Sequence, residues 1–194
     1  MTPATPDEQD RADMARLVAG QDPALDELMG RHAERLYHYL LRVVQNETEA
    51  ADLAEESFVR VYQNRARFRP ALRFSTWLYA IATNLARDLQ RHRARHPNVS
   101  LEAEHGEAGQ NFRETLPEGR PNPGEALLAT ERAEAVRRAV AALPEDLRVP
   151  LVLAEYEDKS YAEIAEIVEC SAKAVEMRLY RARQELRERL AALL

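Results

Sequence analysis

LPEDLRVPLVLAEYEDKSYAEIAEIVECSAKAVEMRLYRARQELRERL, from Leu143 to Leu190, reads as a helix-turn-helix that ends in a long basic helix. Within it, Tyr161, Ile164, Ala165 and Val168 recur at i, i+3, i+4 and i+7, which predicts one apolar face on a short helix. Ser160 with Glu163 three residues later has the form of a capping box at its start. A turn around Glu169, Cys170 and Ser171 leads into the second helix. Stepping about 100° per residue places Val175, Leu179, Ala182 and Leu186 within an arc of roughly 60°. Lys173, Glu176, Met177, Tyr180, Arg181 and Gln184 fall on the opposite side, a mixture of hydrogen-bonding, cationic and apolar tips. A major-groove reader needs such a pair of faces, one to pack on a partner helix and one to test base edges, so DNA is the expected partner. The alternative is a solvated face on an ordinary amphipathic helix. Against it stand the flanking cations Arg178, Arg183, Arg187 and Arg189, placed where phosphates would border a groove.

A second block lies in the first half. RARFRPALRFSTWLYAIATNLARDLQRHRARH, residues 65–96, holds eight arginines (65, 67, 69, 73, 87, 91, 93, 95) against the single acid Asp88, a balance of about +7 where the whole chain carries −6. The net charge therefore conceals a local basic footprint. Its helical part is predicted over 75–95, with Leu78, Ile81, Ala82, Leu85 and Leu89 buried and Thr83, Asn84, Arg87 and Arg91 turned outward. Arg87 and Arg91 are like charges at i,i+4, a cost that a polyanion along that face would offset. Just before the helix, Phe68, Phe74, Trp77 and Tyr79 interleave with Arg69 and Arg73. Aromatics beside arginines can stack unpaired bases while the cations follow the strand. Alternatively some of these rings are core and anchor the loop.

Residues 48–64 form a further amphipathic helix, with Ala50, Ala54, Ser57, Phe58 and Val61 inward and Asp52, Glu55, Glu56, Val59 and Gln63 outward. An acidic face repels DNA, so it is either solvated, the better reading from charge alone, or meets a basic protein surface.

Together ADLAEESFVRVYQ (51–63), FSTWLYAIATNLARDLQRHRAR (74–95) and the terminal block from Leu143 to Arg183 closely resemble the extracytoplasmic-function (ECF) group of bacterial RNA polymerase sigma factors. The resemblance covers nearly the whole chain apart from the extreme N-terminus and the middle. It implies an all-α fold of two small helical domains joined by a flexible linker: a region 2-like bundle at 1–95, a linker at 96–122 and a region 4-like helix-turn-helix domain at 123–194. In the family the first domain binds the clamp coiled coil of core polymerase and opens the minus-ten element, and the second binds the flap and reads the minus-thirty-five element. Carried over, Asp52, Leu53, Glu55, Glu56 and Val59 become the polymerase-docking face, a role that charge alone did not favour. Phe68, Arg69, Arg73, Phe74, Trp77, Asn84, Arg87 and Arg91 become minus-ten contacts, and Lys173, Glu176, Met177, Arg178, Tyr180 and Arg181 minus-thirty-five contacts. An anti-sigma factor is a further expected partner. One departure matters: many members start the recognition helix with a run like Thr-Val-Lys-Ser-Arg, whereas this chain has Ala174-Val175-Glu176-Met177-Arg178. A carboxylate suits the amino group of cytosine and a cation suits guanine, so the family's usual minus-thirty-five sequence is not expected here.

The remaining residues fit two helical domains. With 45% apolar residues and only 6 glycines, nothing predicts a sheet. Asp22-Pro23 caps a helix running to about Gln45, with a short helix over 7–19 before it and another over about 123–143. The segment 96–122 holds three of the ten prolines and three of the six glycines with an acidic excess, the composition of a linker without its own core. Cys170 is a lone cysteine in a helix-helix turn, a small packed residue rather than a redox centre. His92 and His96 are four apart with no third ligand nearby, so no metal is expected. No phosphate loop, HExxH or meaningful Ser-His-Asp order is present, and neither catalysis nor a cofactor is expected. Without a run of 18 apolar residues or a signal peptide, the chain is expected to be soluble and cytoplasmic, held at a membrane only through an anti-sigma factor, with no appended sensory domain. Two other classes compete with this reading: a promoter-binding regulator that never joins polymerase, and a sigma mimic that sequesters an anti-sigma factor without touching DNA.

Overall fold

Thr5 opens the first helix, α1 (Pro6–Val18), through a capping box: its hydroxyl accepts from the Glu8 amide at 3.4 Å while the Glu8 carboxylate accepts from the Thr5 amide at 2.8 Å. Pro23 at the first turn starts α2 (Pro23–Val44), as expected, but the Asp22 side chain makes no capping bond, because Asp22 itself has helical backbone angles. A left-handed Gln45 ends α2, and the Asn46 side chain, accepting from the Glu49 amide at 3.0 Å, starts α3 (Glu47–Asn64). A short 3-10 turn at Arg65–Arg67 and a loop lead to α4 (Phe74–Arg95). The second half contains α5 (Pro123–Ala141), α6 (Glu145–Glu155), α7 (Tyr161–Ile167) and α8 (Ala172–Arg189). The structure, a computed structural model, describes residues 5–96 and 123–191, and among these residues there is no strand. Apart from His96, the expected linker lies outside the described residues.

In the first half, α2 packs against α3, and α4 closes over both. Ala50, Ala54, Ser57, Phe58 and Val61 of α3 are all buried, as the pattern predicts. α1 is pinned to α2 by ions as well as by Met14 and Leu17. Buried Asp10 accepts from Arg31 at 2.9 Å and pairs with His32 Nε2 at 2.8 Å, and Asp13 accepts from Arg31 at 2.5 Å. Burial raises the Asp10 carboxyl, but His32 and Arg31 outweigh it and hold the group below its ordinary value.

α4 differs from the expected pattern. Leu78 and Ala82 are buried, yet Ile81, Leu85 and Leu89 are only half-buried, and the stripe extends instead to Phe74, Tyr79, Thr83 and Ala86. Thr83, expected to face outward, has no exposed surface: the Tyr39 and Thr83 hydroxyls are 2.7 Å apart, and Thr83 donates to the Tyr79 carbonyl at 2.6 Å. The reason is that α4 packs against α1, α2 and α3 and also against α7 of the second half.

In the second half the capping box at Ser160 and Glu163 forms as the spacing predicts. Ile164 and Val168 are buried and Ala165 half-buried, but Tyr161 is exposed and Ile167 takes its place in the core. Tyr161 stands at the first position of α7 and is 40% exposed. The turn before α8 is set by Glu169 in the left-handed region (φ 56°), and Ser171 caps α8 by accepting from the Ala174 amide at 3.2 Å. Half-buried Cys170 packs in that turn. α6 runs beneath α8 and carries Pro150 in its interior, with Val149, Pro150, Leu151, Val152 and Leu153 all buried. The buried residues of both halves join in one continuous core, because α2 meets α6 and α4 meets α7.

Candidate nucleic-acid and polymerase interfaces

The outer face of α8 stands clear of the body. Val175, Leu179 and Ala182 are fully buried and Leu186 half-buried, so the helix can rotate little, and its opposite side presents Lys173, Glu176, Met177, Tyr180 and Arg181 to solvent. Met177 and Tyr180 are 44% and 59% exposed, large apolar groups left in water on an otherwise polar face. Lys173 donates to Glu176 at 2.8 Å, which holds that carboxylate against the first turn. The Gln184 amide donates to the Tyr180 hydroxyl at 3.1 Å, and Arg187 donates to Gln184 at 3.0 Å. The flanking cations are not equivalent. Arg183 is tied to Glu155 of α6 at 2.8 Å, and Arg189 to Glu185 and to the Ala139 carbonyl in the last turn of α5. Arg178 lies half-buried with a guanidinium nitrogen 3.8 Å from Cys170 Sγ. Arg181 has no acidic partner among the described residues, which leaves it the freest cation of this face.

The aromatic cluster before α4 divides into core and surface. Phe74 is 1% exposed and Tyr79 3%, so neither ring offers a face to a base in this conformation. Phe68 and Trp77 are half-buried with centroids 5.3 Å apart, and Phe74 supports both from below at 6.3 and 6.4 Å. Arg69 is exposed beside them, and Asn84 and Arg91 lie exposed further along α4. Arg91 donates to Asp88 at 2.5 Å, Arg93 pairs with Glu49, and the His92 and His96 rings lie 4.7 Å apart at the helix end. Among the described residues no group of three His, Cys, Asp or Glu side chains is arranged for a metal.

On α3, Asp52 and Glu55 are exposed, Glu56 pairs with Arg60 at 2.6 Å, and Val59 is 46% exposed. Leu53 lies half-buried at the edge of this face, against the core. An apolar centre flanked by carboxylates is a surface for a basic protein partner and a poor one for DNA.

These surfaces coincide with two matched families. The chain matches the description "Sigma-70 region 2" over residues 28–96 and "Sigma-70, region 4" over 133–186. It is 34% identical over 190 residues to the RNA polymerase sigma-H factor of Pseudomonas aeruginosa, covering 96% of both chains. It is 32% identical over 189 residues to the ECF RNA polymerase sigma-E factor of Salmonella typhimurium, covering 95% of this chain and 96% of that one. The chain belongs to the ECF group of RNA polymerase sigma factors. Among solved structures, CnrH in complex with the cytosolic domain of CnrY is similar at a TM-score of 0.68 and 26% identity, covering 95% of this chain and 99% of that one. The sigma factor RpoE of Bartonella quintana, in complex with the anti-sigma factor NepR, shares the fold at a TM-score of 0.65 and 18% identity, covering 86% of this chain and 96% of that one.

In this sigma factor one further cluster was not anticipated from sequence. Glu157, which follows α6, is 4% exposed, and its carboxylate accepts from the Tyr79 hydroxyl of α4 at 2.5 Å and from Arg35 of α2 at 2.9 Å. Burial pushes the Glu157 carboxyl up against the opposing pull of Tyr79 and Arg35. Burial, reinforced by Glu157, pushes the Tyr79 phenol up as well, so it stays a proton donor. Beside them Lys159 donates to Ser75 at 2.7 Å, and burial lowers its ammonium. No periodicity signals such a cluster, because its members lie on three segments of the chain. No helix among the described residues is long and apolar enough to cross a membrane.

Proposed function

We propose that this sigma factor binds core RNA polymerase, brings it to promoters by reading a minus-ten and a minus-thirty-five element, and helps open the DNA. The observation that carries the reading is the face of α8, where a rigidly packed helix leaves Glu176, Met177, Tyr180 and Arg181 exposed together. In this reading Arg181 donates to guanine, Glu176 accepts from a cytosine amino group, and Lys173 and Arg178 border the groove. Asp52, Leu53, Glu55, Glu56 and Val59 dock on the basic clamp coiled coil, and the second domain meets the flap. Phe68 and Trp77 trap unpaired bases, with Arg69, Arg73, Asn84, Arg87 and Arg91 following the strand, while buried Phe74 serves as their floor.

The chain itself makes no phosphodiester bond. It works in the cytoplasm as the recognition part of the polymerase, with residues 1–95 and 123–194 as its two working domains and 96–122 as their connection. An anti-sigma factor of the kind bound to the Bartonella protein of the same fold holds it off polymerase. Selection from random-sequence duplexes tests this reading. Core polymerase with the chain enriches a pair of motifs at fixed spacing that core alone does not; enrichment by the chain without polymerase, or none at all, contradicts it.

A further inference from the structure

No step of promoter recognition gives α1 a task, yet α1 reaches the aromatic cluster through an unbroken series of contacts. It packs on α2, on the 3-10 turn at Arg65–Arg67 and on α4. Its buried Asp10 accepts from Arg31 through one carboxylate oxygen and pairs with His32 Nε2 at 2.8 Å through the other. Asp10 is held below its ordinary value and is ionised near neutral pH, and an ionised carboxylate only accepts. His32 Nε2 therefore carries a hydrogen and donates it, which fixes the edge of the ring that faces α1. The ring meets Phe74 with 5.1 Å between centroids and a tilt of 57°. Phe74 in turn supports Phe68 and Trp77.

The start of α4 needs outside support. Arg73, its N-cap, makes no side-chain capping bond, so contacts from other elements must hold the turn that carries Phe74 and Trp77. Arg73, Ser75 and Thr76 bond Glu163 and Lys159 of the second half. From its own half the turn receives the His32 ring and Asp7 of α1, which pairs with Arg73 at 2.9 Å.

We infer that His32 is a positioning residue for strand opening: pinned by Asp10, its ring braces Phe74 and so holds Phe68 and Trp77 in the arrangement that receives an unpaired base. This rests on the reading of Phe68 and Trp77 as the base trap. Rings that turn independently have to be ordered as the base arrives, which weakens capture, whereas braced rings are already in place. Asp10 keeps Arg31 when the His32 bond is lost, so the ring and the hydrogen bond are separable by substitution.

The chain has a single tryptophan, so the emission and near-ultraviolet dichroic band of Trp77 report on this cluster alone. Two full-length variants divide the roles: His32→Gln keeps a donor toward Asp10 without the ring, and His32→Phe keeps the ring without the donor. Each is first checked for helicity and a cooperative thermal transition. In the free protein, His32→Gln weakens the Trp77 dichroic band and raises its quenching by acrylamide, whereas His32→Phe matches the parent. The functional readout is core polymerase on a template carrying the motif pair that selection enriches. There His32→Gln co-purifies with core like the parent but lowers permanganate reactivity about fivefold, the effect of one weakened base stack, and His32→Phe restores it. The reverse order, with His32→Gln like the parent and His32→Phe defective, leaves His32 only its bond to Asp10 and overturns the brace, and equal loss in both variants does the same. Trp77→Ala keeps the two levels apart. If it opens DNA like the parent, the trap reading fails and takes the role in opening with it, while the Trp77 band of the His32 variants still decides the brace. If it loses opening and His32→Gln does not, the trap stands and the positioning role is overturned.

Discussion

Glu176 stands on the exposed side of α8 with Lys173 as its partner among the described residues, so its carboxylate is available to a base edge. Losing a base contact relaxes preference at one position and costs about 1 to 3 kcal/mol, while losing a phosphate contact weakens all sequences alike. Glu176→Lys therefore changes which minus-thirty-five sequence wins from a randomised library, and Arg187→Ala lowers affinity without changing the winner. The same winner for Glu176→Lys and the parent would return that residue to a solvated role. Burial now separates the aromatics that the sequence left together. Phe74→Ala opens a cavity in the core and lowers stability by about 3 to 5 kcal/mol in chemical denaturation. Trp77→Ala, at a half-buried ring, keeps a cooperative transition and polymerase binding but loses permanganate-reactive thymines near the start site; loss of the transition instead would make Trp77 core. Thr83 shows why the sequence alone could not sort these residues. Its partner Tyr39 is 44 residues away, and a small hydroxyl on a helix reads as surface until that partner is seen.

The elements themselves were largely legible, because caps and 3.6-residue periodicity are local signals. The Ser160–Glu163 box and the apolar stripes of α3 and α8 formed where the spacing put them. α4 and Tyr161 departed from expectation because their surroundings include segments far away in the chain. On α3, reversing Asp52 and Glu55 to lysine abolishes co-purification with core polymerase and leaves helicity unchanged, since both side chains are exposed; unchanged co-purification would remove α3 from the docking face. α1 offers a pH test. Asp10 is held below its ordinary value in the fold, so its stabilising contribution is present above the unfolded value of about 4 and is lost as pH falls through the lower folded value. In Asp10→Asn the thermal midpoint is lower at pH 7 and falls less steeply on the acid side than in the parent. Parallel curves would show that the pairs with Arg31 and His32 contribute nothing.

At the scale of the molecule, the family and its two-part organisation could be read from two blocks in order, and the contact between the halves could not. Arg35 and Glu157 are separated by 122 residues and Tyr79 and Glu157 by 78, and neither pair belongs to a pattern within one helix. The same contact brings the surfaces proposed for docking, melting and reading into one body, which gives an inhibitor a single target. A partner that clamps both halves and binds in competition with polymerase is expected, and a ternary complex of sigma factor, inhibitor and core on a sizing column would contradict it. The central claim is that this chain gives core polymerase its promoter recognition, and run-off transcription tests it most directly. On a linear template carrying the selected motif pair, core polymerase with the chain is predicted to give a transcript of one defined length, and core alone none. A chain that binds the template by itself yet leaves core polymerase without that transcript would contradict the claim and make it a regulator, and one that neither binds DNA nor yields a transcript would make it a mimic.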